Sequence, residues 1–391
     1  MGRFDEFYKS LFAEEQRFCP RCHEGFYPGE CDIVATFPPH TRGEILFRAK
    51  KGAWSRKNPK PISGDFIKRL ATRQCPQCQY YLPRNIDNTP LLNIAVVGDY
   101  ASGKSHYIAS LIKQLREERV VPDDEYFRMV GMTPAIEEWY DQELLSKLFD
   151  AHEPLQRTRP LRPGEKIDPL IYELTFRRSI DHWPKTVNLA IHDAAGEDFR
   201  SPERLVEFSQ HVINAAGLIY LVDPVELPEI RKQVEQDHPH LVLSSRVRTP
   251  STTFNMIIKM IEDFRGLPAG AKLTNLPIAV TISKADLLKK KRHLSNPFAF
   301  SNNAIYQGGV DLLDLAKVEQ DVLDILNNHS GDRSLIPATT TIERKHFLAI
   351  SATGMSPDPS GSYPRVEPCR CLDPFLWILH ELELIPAVGQ P

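Results

Sequence analysis

The sequence has no apolar run of the length that a bilayer-spanning helix needs, about 20 residues. Its first ten residues, Met1 to Ser10, carry no apolar leader segment. It has no internal repeat and no low-complexity tract. An excess of one charge is missing too: 48 Lys and Arg stand against 51 Asp and Glu, a net charge of −3. No global field therefore marks a binder of nucleic acid or anionic lipid, and local charge must carry any such argument. Cysteine is sparse. Of seven, four sit in two Cys-x-x-Cys pairs, a usage that fits metal binding in a reducing compartment better than disulfides. These absences point to a cytoplasmic protein with no membrane association.

What is present is a globular composition, 41% hydrophobic and 25% charged, over 391 residues, enough for two or three domains. Prolines Pro154, Pro160, Pro163 and Pro169 cluster and predict a long loop. Up to about Asn88 the chain is rich in Cys, Pro and basic residues and poor in helical patterns. From Leu91 short β-rich apolar runs alternate with helical patterns, the signature of βαβ units and a parallel sheet. Strands are predicted over Leu92 to Val97, Leu170 to Phe176, Val187 to Ile191, Leu218 to Val222, Ile278 to Ile282 and Phe347 to Ile350. Apolar residues recur at helical spacing over Tyr107 to Leu115, Met256 to Phe264 and Phe375 to Leu382.

The first strand runs into Gly98-Asp99-Tyr100-Ala101-Ser102-Gly103-Lys104-Ser105, with His106 next. This matches G-x-x-x-x-G-K-[ST] between a strand and an amphipathic helix, the context the motif requires. Glycines let successive N–H groups curl round phosphate oxygens, and the helix N-terminus adds positive potential. Lys104 is expected to reach the β- and γ-phosphates, and the Ser105 hydroxyl to coordinate Mg²⁺. Asp193, at the end of the third strand, is placed to hold Mg²⁺, and Gly196 to offer its N–H to the γ-phosphate. The fifth strand ends at Ser283-Lys284-Ala285-Asp286. A carboxylate there accepts both N1–H and N2–H₂ of guanine, a donor pair that adenine lacks; alone it also suits a helix N-cap. The Lys284 stem can pack on the base. Ser351-Ala352-Thr353 ends the sixth strand, where its backbone can meet the guanine carbonyl.

In order, GDYASGKS, DAAGE, SKAD and SAT resemble the first, third, fourth and fifth guanine-nucleotide motifs of the Ras-like and translation-factor class of P-loop GTPases. The resemblance spans roughly 91–384 and implies a Ras-like G domain, GTP/GDP and Mg²⁺ binding, and hydrolysis coupled to switch motion. The implied fold is α/β, a mainly parallel P-loop NTPase sheet flanked by helices, with insertions at about 120–168, 224–272 and 289–345. Three departures stand out. Ser283 replaces the usual Asn or Thr. Glu197 stands where many relatives orient water with Gln, and a carboxylate there repels the γ-phosphate unless protonated or paired, so slow hydrolysis is expected. The first-to-third motif interval is long and hides the first switch threonine; Thr158 is the first candidate and Thr133 the second. Arg157 or Arg159 would suit an arginine finger, or a solvated loop.

Cys19-Pro20-Arg21-Cys22 and Cys75-Pro76-Gln77-Cys78 are paired knuckles whose four thiolates suit tetrahedral zinc. His23 and Cys31 are alternative ligands, and a reduced or redox thiol pair is the alternative chemistry. The knuckles resemble those of zinc ribbons, so 1–90 is expected to be a small zinc-binding domain and 91–386 the G domain. Cys369 and Cys371 read as ordinary thiols. The stretch between knuckles is basic (Arg42, Arg48, Lys50, Lys51, Arg56, Lys57, Lys60, Lys68, Arg69, Arg73) with Phe47 and Trp54 interleaved. It suits nucleic acid, a protein-docking surface, or a solvated face. The combination resembles the double-GTPase proteins of bacterial conflict and defence gene clusters, which implies a protein effector or partner GTPase and a possible role in antiviral defence. The leading expectation is a GTP-dependent switch. The alternatives are a nucleotide-dependent interaction scaffold with little hydrolysis, and a nucleic-acid-binding NTPase.

Overall fold

The computed structural model describes residues 16–37, 44–49, 54–55, 58–59, 71–117, 126–132, 134–156, 158–159, 162, 165, 168–177, 185–193, 210–241, 243, 249–268, 270–288, 298–301, 303–304 and 309–388. It begins with short antiparallel pieces. β1 (Arg17–Phe18) pairs with β2 (Gly25–Phe26) around the first Cys pair. β3 (Asp32–Phe37) and β4 (Glu44–Ala49) lead to a small pair, β5 (Trp54–Ser55) and β6 (Asn58–Pro59), and then to β7 (Ala71–Gln74). β4, β3 and β7 form a three-stranded antiparallel sheet that delivers the second Cys pair.

The rest is organised on one seven-stranded mixed sheet. Its strands are β8 (Leu91–Gly98), β9 (Tyr126–Gly131), β10 (Leu170–Arg177), β11 (Lys185–Asp193), β12 (Gly217–Val222), β13 (Ile278–Ile282) and, beyond the small β14 (Val310–Asp311), β15 (Lys345–Ala349). The order is β15-β13-β12-β8-β11-β10-β9. β15, β13, β12, β8 and β11 run parallel, and the two pairings of β10 are antiparallel. β14 pairs with β16 (Ala387–Val388). β8, β12 and β13 bury nearly every residue, as continuous apolar runs must when both faces of a sheet are covered.

The covering helices follow the apolar spacing. α1 (Lys104–Arg116) buries Tyr107, Ile108, Leu111, Ile112 and Leu115. α2 (Pro134–Trp139) continues into a π-helical stretch over Tyr140–Asp150. α3 (Pro228–Asp237) and α4 (Pro250–Phe264) both begin on a proline, whose fixed φ and missing N–H suit the first helical turn. α5 is Leu312–Asp324, and α6 (Asp373–Glu381) buries Phe375, Leu376, Trp377, Ile378 and Leu379.

All six expected strands form. β9 was not among the expected strands: in the interval between the first and third motifs, Phe127 and Met129 alternate inward and add an edge strand beside β10. The supposed insertions also hold α3 and α5, which pack as ordinary elements of the sheet domain. Among the described residues, no helix is long and apolar enough to cross a membrane.

Candidate functional site

Parallel strands align their carboxyl ends, and chain order reverses on either side of β8, so a crevice opens there. A cavity of about 360 Å³ fills it. Residues 100–106 form one wall, and Lys284, Asp286, Ala352 and Tyr363 lie along the other.

The glycines of the loop answer to geometry. A Cβ on Gly98 would stand 2.6 Å from the Leu221 carbonyl oxygen, so the loop can leave β8 beside β12 only without a side chain. Gly103 has φ +87°, a left-handed conformation open to glycine at little cost. Ala101 also has φ 62°, which for a residue with a Cβ is strained. The Lys104 ammonium donates to the Gly98 and Asp99 carbonyls (3.0 and 3.1 Å) and to Ser102 Oγ (3.4 Å). Asp99 is buried, and its Oδ1 accepts from the Tyr100 N–H at 2.6 Å.

Three oxygens from three distant segments meet beside that loop. Ser105 Oγ donates to Asp193 Oδ2 at 2.8 Å, Thr158 Oγ1 donates to the same oxygen at 3.0 Å, and the two hydroxyls lie 3.0 Å apart. The other oxygen, Asp193 Oδ1, is buried without a hydrogen-bond partner. Burial raises the Asp193 pKa, opposed by Ser105, Lys104 and Thr158. Two hydroxyls and a carboxylate are the hard oxygen donors that a divalent cation such as Mg²⁺ takes, so the set fits that ion.

At the far end, Asp286 accepts from Ser351 Oγ (2.6 Å) and Ser356 Oγ (3.2 Å). The Ser351 N–H is committed to the Cys369 carbonyl (3.0 Å); in the SAT stretch, a backbone contact with a base therefore falls to the residues after Ser351. Ser283 is buried and ties the ends of β13 and β12 together through its N–H and hydroxyl, both donating to the Val222 carbonyl. Lys284 has φ 48° and forms an ion pair with the buried Asp223 at 2.5 Å. Its stem comes within 4.0 Å of where a Gly103 Cβ would be. His106 Nε2 accepts from the Leu155 N–H (3.2 Å) and lies 3.4 Å from the Tyr363 hydroxyl. Burial, with the Lys284 charge adding, lowers its pKa to about 4.

Sequence reasoning missed Asp223 and Tyr363. Asp223 carries a readable signal, since it is a carboxylate directly after a continuous apolar strand, at a strand end as Asp193 is. Tyr363 has none; it reaches the cavity on a long excursion after β15. Gly196, Glu197, Thr133 and Arg157 lie outside the described residues. Arg159 is exposed and pairs in bidentate fashion with Glu165 (2.7 and 3.1 Å), away from the role of a finger.

The second cluster is metallic in character. Cys19 and Cys78 sulfurs lie 3.7 Å apart, Cys22 and Cys75 3.6 Å, and all four are within 4.8 Å of one another. A thiolate tetrahedron with ~2.3 Å zinc–sulfur bonds has edges of about 3.8 Å, so the spacing fits zinc. The knuckles match each other. His23 donates its N–H to the Cys19 carbonyl and Gln79 to the Cys75 carbonyl (2.8 and 2.9 Å), with φ 60° and 59°. Hydrogen bonds from Cys19 and Cys22 lower the Cys78 pKa below the usual thiol range. The two alternative ligands stand apart. Cys31 donates toward the Tyr27 carbonyl, and burial raises its pKa to about 12. The His23 ring faces His192 and His211. Of the basic residues between the knuckles, Arg73 is bound to Asp87 (2.5 and 3.0 Å) and is unavailable to phosphate; the side chains of the other nine fall outside the described residues.

Fold and cavity define an α/β protein with its site at the strand carboxyl ends, joined to a four-cysteine module. The chain belongs to the Double-GTPase 2 family, whose model matches residues 93–335. Membership supports nucleoside triphosphate hydrolysis as the general activity. The chain is also similar to a candidate ESX-1 scaffolding and assembly protein, SaeC, of Mycolicibacterium smegmatis. The two are 25% identical over 401 residues, covering 92% of this chain and 97% of that protein.

Proposed function

We propose that this protein is a GTP- and Mg²⁺-binding switch on a Ras-like G domain (91–386, widened by β9) with a zinc-binding domain at 1–90. The convergence of Ser105, Thr158 and Asp193, at 2.8–3.0 Å and in one cavity with Asp286, carries this reading. The three side chains would hold Mg²⁺, which neutralises charge on the β- and γ-phosphates. Backbone N–H groups of Ala101, Gly103, Lys104, Ser105 and His106 cradle phosphate oxygens, those of Tyr100 and Ser102 being bonded to Asp99. Lys104 swings from the Gly98 and Asp99 carbonyls onto the phosphates. Asp286 accepts from the guanine N1–H and N2–H₂, with Ser351 and Ser356 aiming its carboxylate. Asp223 anchors Lys284 so that its stem flanks the base, and Ser283 and Ala352 complete that end. Thr158 is the first-switch residue in this reading. Gly196 is assigned to the γ-phosphate and Glu197 to the water, on sequence grounds alone. Calorimetric titration of the purified chain with GTP and with ATP, each with Mg²⁺ and with EDTA, tests it. Mg²⁺-dependent GTP binding at least tenfold tighter than ATP is expected; equal or ATP-preferring affinity removes the base assignment.

A second reading has a specific support in the name of the relative, a scaffolding and assembly protein matched over nearly its whole length. Here the GTP state holds partners together with little hydrolysis, whereas the switch hydrolyses GTP slowly; a carboxylate at Glu197 suits both. The partner would be a protein effector or a second GTPase, in the cytoplasm and in the setting of a conflict or assembly system. Single-turnover assays distinguish the two: slow but measurable hydrolysis is expected of the switch and almost none of the scaffold, and rapid intrinsic hydrolysis excludes the scaffold.

A further inference from the structure

The first cysteine knuckle is tied to the sheet domain at three points, one of which adjoins the proposed nucleotide site. The Pro20 carbonyl accepts from His192 Nε2 at 2.7 Å in a buried position. The His23 carbonyl accepts from Asn214 Nδ2 at 3.2 Å. Arg21 Nε pairs with Asp168 at 2.6 Å, though Asp168 is 70% exposed and this pair is the weakest tie. His192 also packs its ring against those of His23 and His211, with centroids 5.1 and 5.0 Å away, and those two rings lie 6.1 Å from each other.

His192 is the residue before Asp193. Successive side chains on a strand point to opposite faces. At the end of β11, therefore, one side chain grips the knuckle and the next meets Ser105 and Thr158. Pro20 can only accept, so His192 must carry its proton on Nε2. Pro20 also sits between two of the four clustered cysteines, Cys19 and Cys22, so metal binding there fixes the carbonyl that His192 grips.

We propose that His192 is a positioning residue that couples the four-cysteine site to the nucleotide site, so that zinc and Mg²⁺·GTP bind cooperatively. The proposal rests on the guanine-nucleotide reading above. Linkage is reciprocal: whatever factor nucleotide confers on zinc affinity, zinc confers on nucleotide affinity.

The test measures that factor from both sides on the full-length chain. Zinc affinity is read by competition with a chromophoric chelator, with and without Mg²⁺ and a non-hydrolysable GTP analogue. Nucleotide affinity is read with zinc bound and removed. In the wild type, both factors should agree and be at least about fivefold, the lower end of usual coupling. His192→Phe keeps a ring but removes the N–H, and its factor should fall below twofold while each ligand still binds alone. His192→Gln, which restores a donor, should recover part of the coupling. Nucleotide binding with no effect of zinc in the wild type overturns the coupling and leaves the GTP reading intact. Undiminished coupling in His192→Phe overturns the role of His192. If no guanine nucleotide binds the wild type, the functional reading fails, and the coupling with it.

Discussion

The buried cluster around the knuckles consists of Cys19, Cys22, Phe26, Cys31, Cys75, Leu82 and Ile86, whereas the one around β8 and β12 draws on most of the sheet and its helices. The small cluster has little apolar area to stabilise it, and sulfur supplies much of its interior. The large one is held by Leu, Ile, Val and Phe packed on both faces of the sheet. A module with so small a core among its described residues needs metal or an external support, and the chain offers the means for both. The cysteines offer the first, while Asn85, bonded to Glu173 (2.7 Å) and Asn188 (2.9 Å), and His192 anchor it to β10 and β11. Stability in one region is thus expected to depend on ligand, and in the other on packing.

The largest effect that would break this contrast is on the module. Cys75→Ser, or chelation of the wild type, should release zinc and expose 16–90 to protease. Structural zinc contributes on the order of 10 kcal/mol in small domains. The sheet domain should still melt cooperatively by circular dichroism. Collapse of both regions together would show that the sheet domain depends on the metal. Next comes Lys104→Ala, which removes a buried charge from the phosphate loop. GTP affinity should fall on the order of 100-fold, about 3 kcal/mol, with zinc content unchanged. A smaller loss, about tenfold in Mg²⁺ dependence of GTP binding (~1.4 kcal/mol), is expected for Thr158→Ala. Thr133→Ala should leave that dependence alone, and the reverse pattern would reassign the first switch.

An effect of a different kind, on stability rather than on ligand affinity, is that of pH. Burial lowers the pKa values of His106 and His192 to about 4, from an ordinary 6.5. The unfolded chain therefore takes up protons first on acidification. The contribution of these neutral rings is complete above about pH 6.5 and is lost as pH falls toward 4. Each gives a slope of at most about 1.4 kcal/mol per pH unit, visible as a falling melting temperature. His106→Gln should flatten the curve for the sheet domain alone.

Much of this was legible because the chemistry is local in the chain. A strand, a glycine loop and a helix in sequence define Lys104 and Ser105, and a carboxylate at a strand end defines Asp193 and Asp286. Thr158 was legible only as one of two threonines in a long interval, and its hydroxyl does meet Ser105 and Asp193. What escaped depends on tertiary contact. β9 alternates apolar and polar residues rather than forming a continuous apolar run, and it becomes a strand only by pairing with β10. Asp223 was readable as a strand-end carboxylate, but its ion pair with Lys284 exists only in the folded chain. The meeting of His192 with Pro20 joins positions 172 residues apart, and no spacing rule announces it. Arg73, read as one of a basic patch, is instead neutralised by Asp87.

The claim that matters most is that Asp286 reads guanine, and an exchange of hydrogen-bond character at that carboxylate tests it most directly. Xanthine differs from guanine in presenting a carbonyl where guanine presents its 2-amino group. Asp286→Asn replaces an acceptor with a donor at that point. With Mg²⁺ present, the wild type should bind GTP at least tenfold more tightly than XTP, and the variant should reverse that order, as a site left with an unpaired polar group rejects its former ligand. An unchanged order of GTP and XTP in wild type and variant would contradict the account.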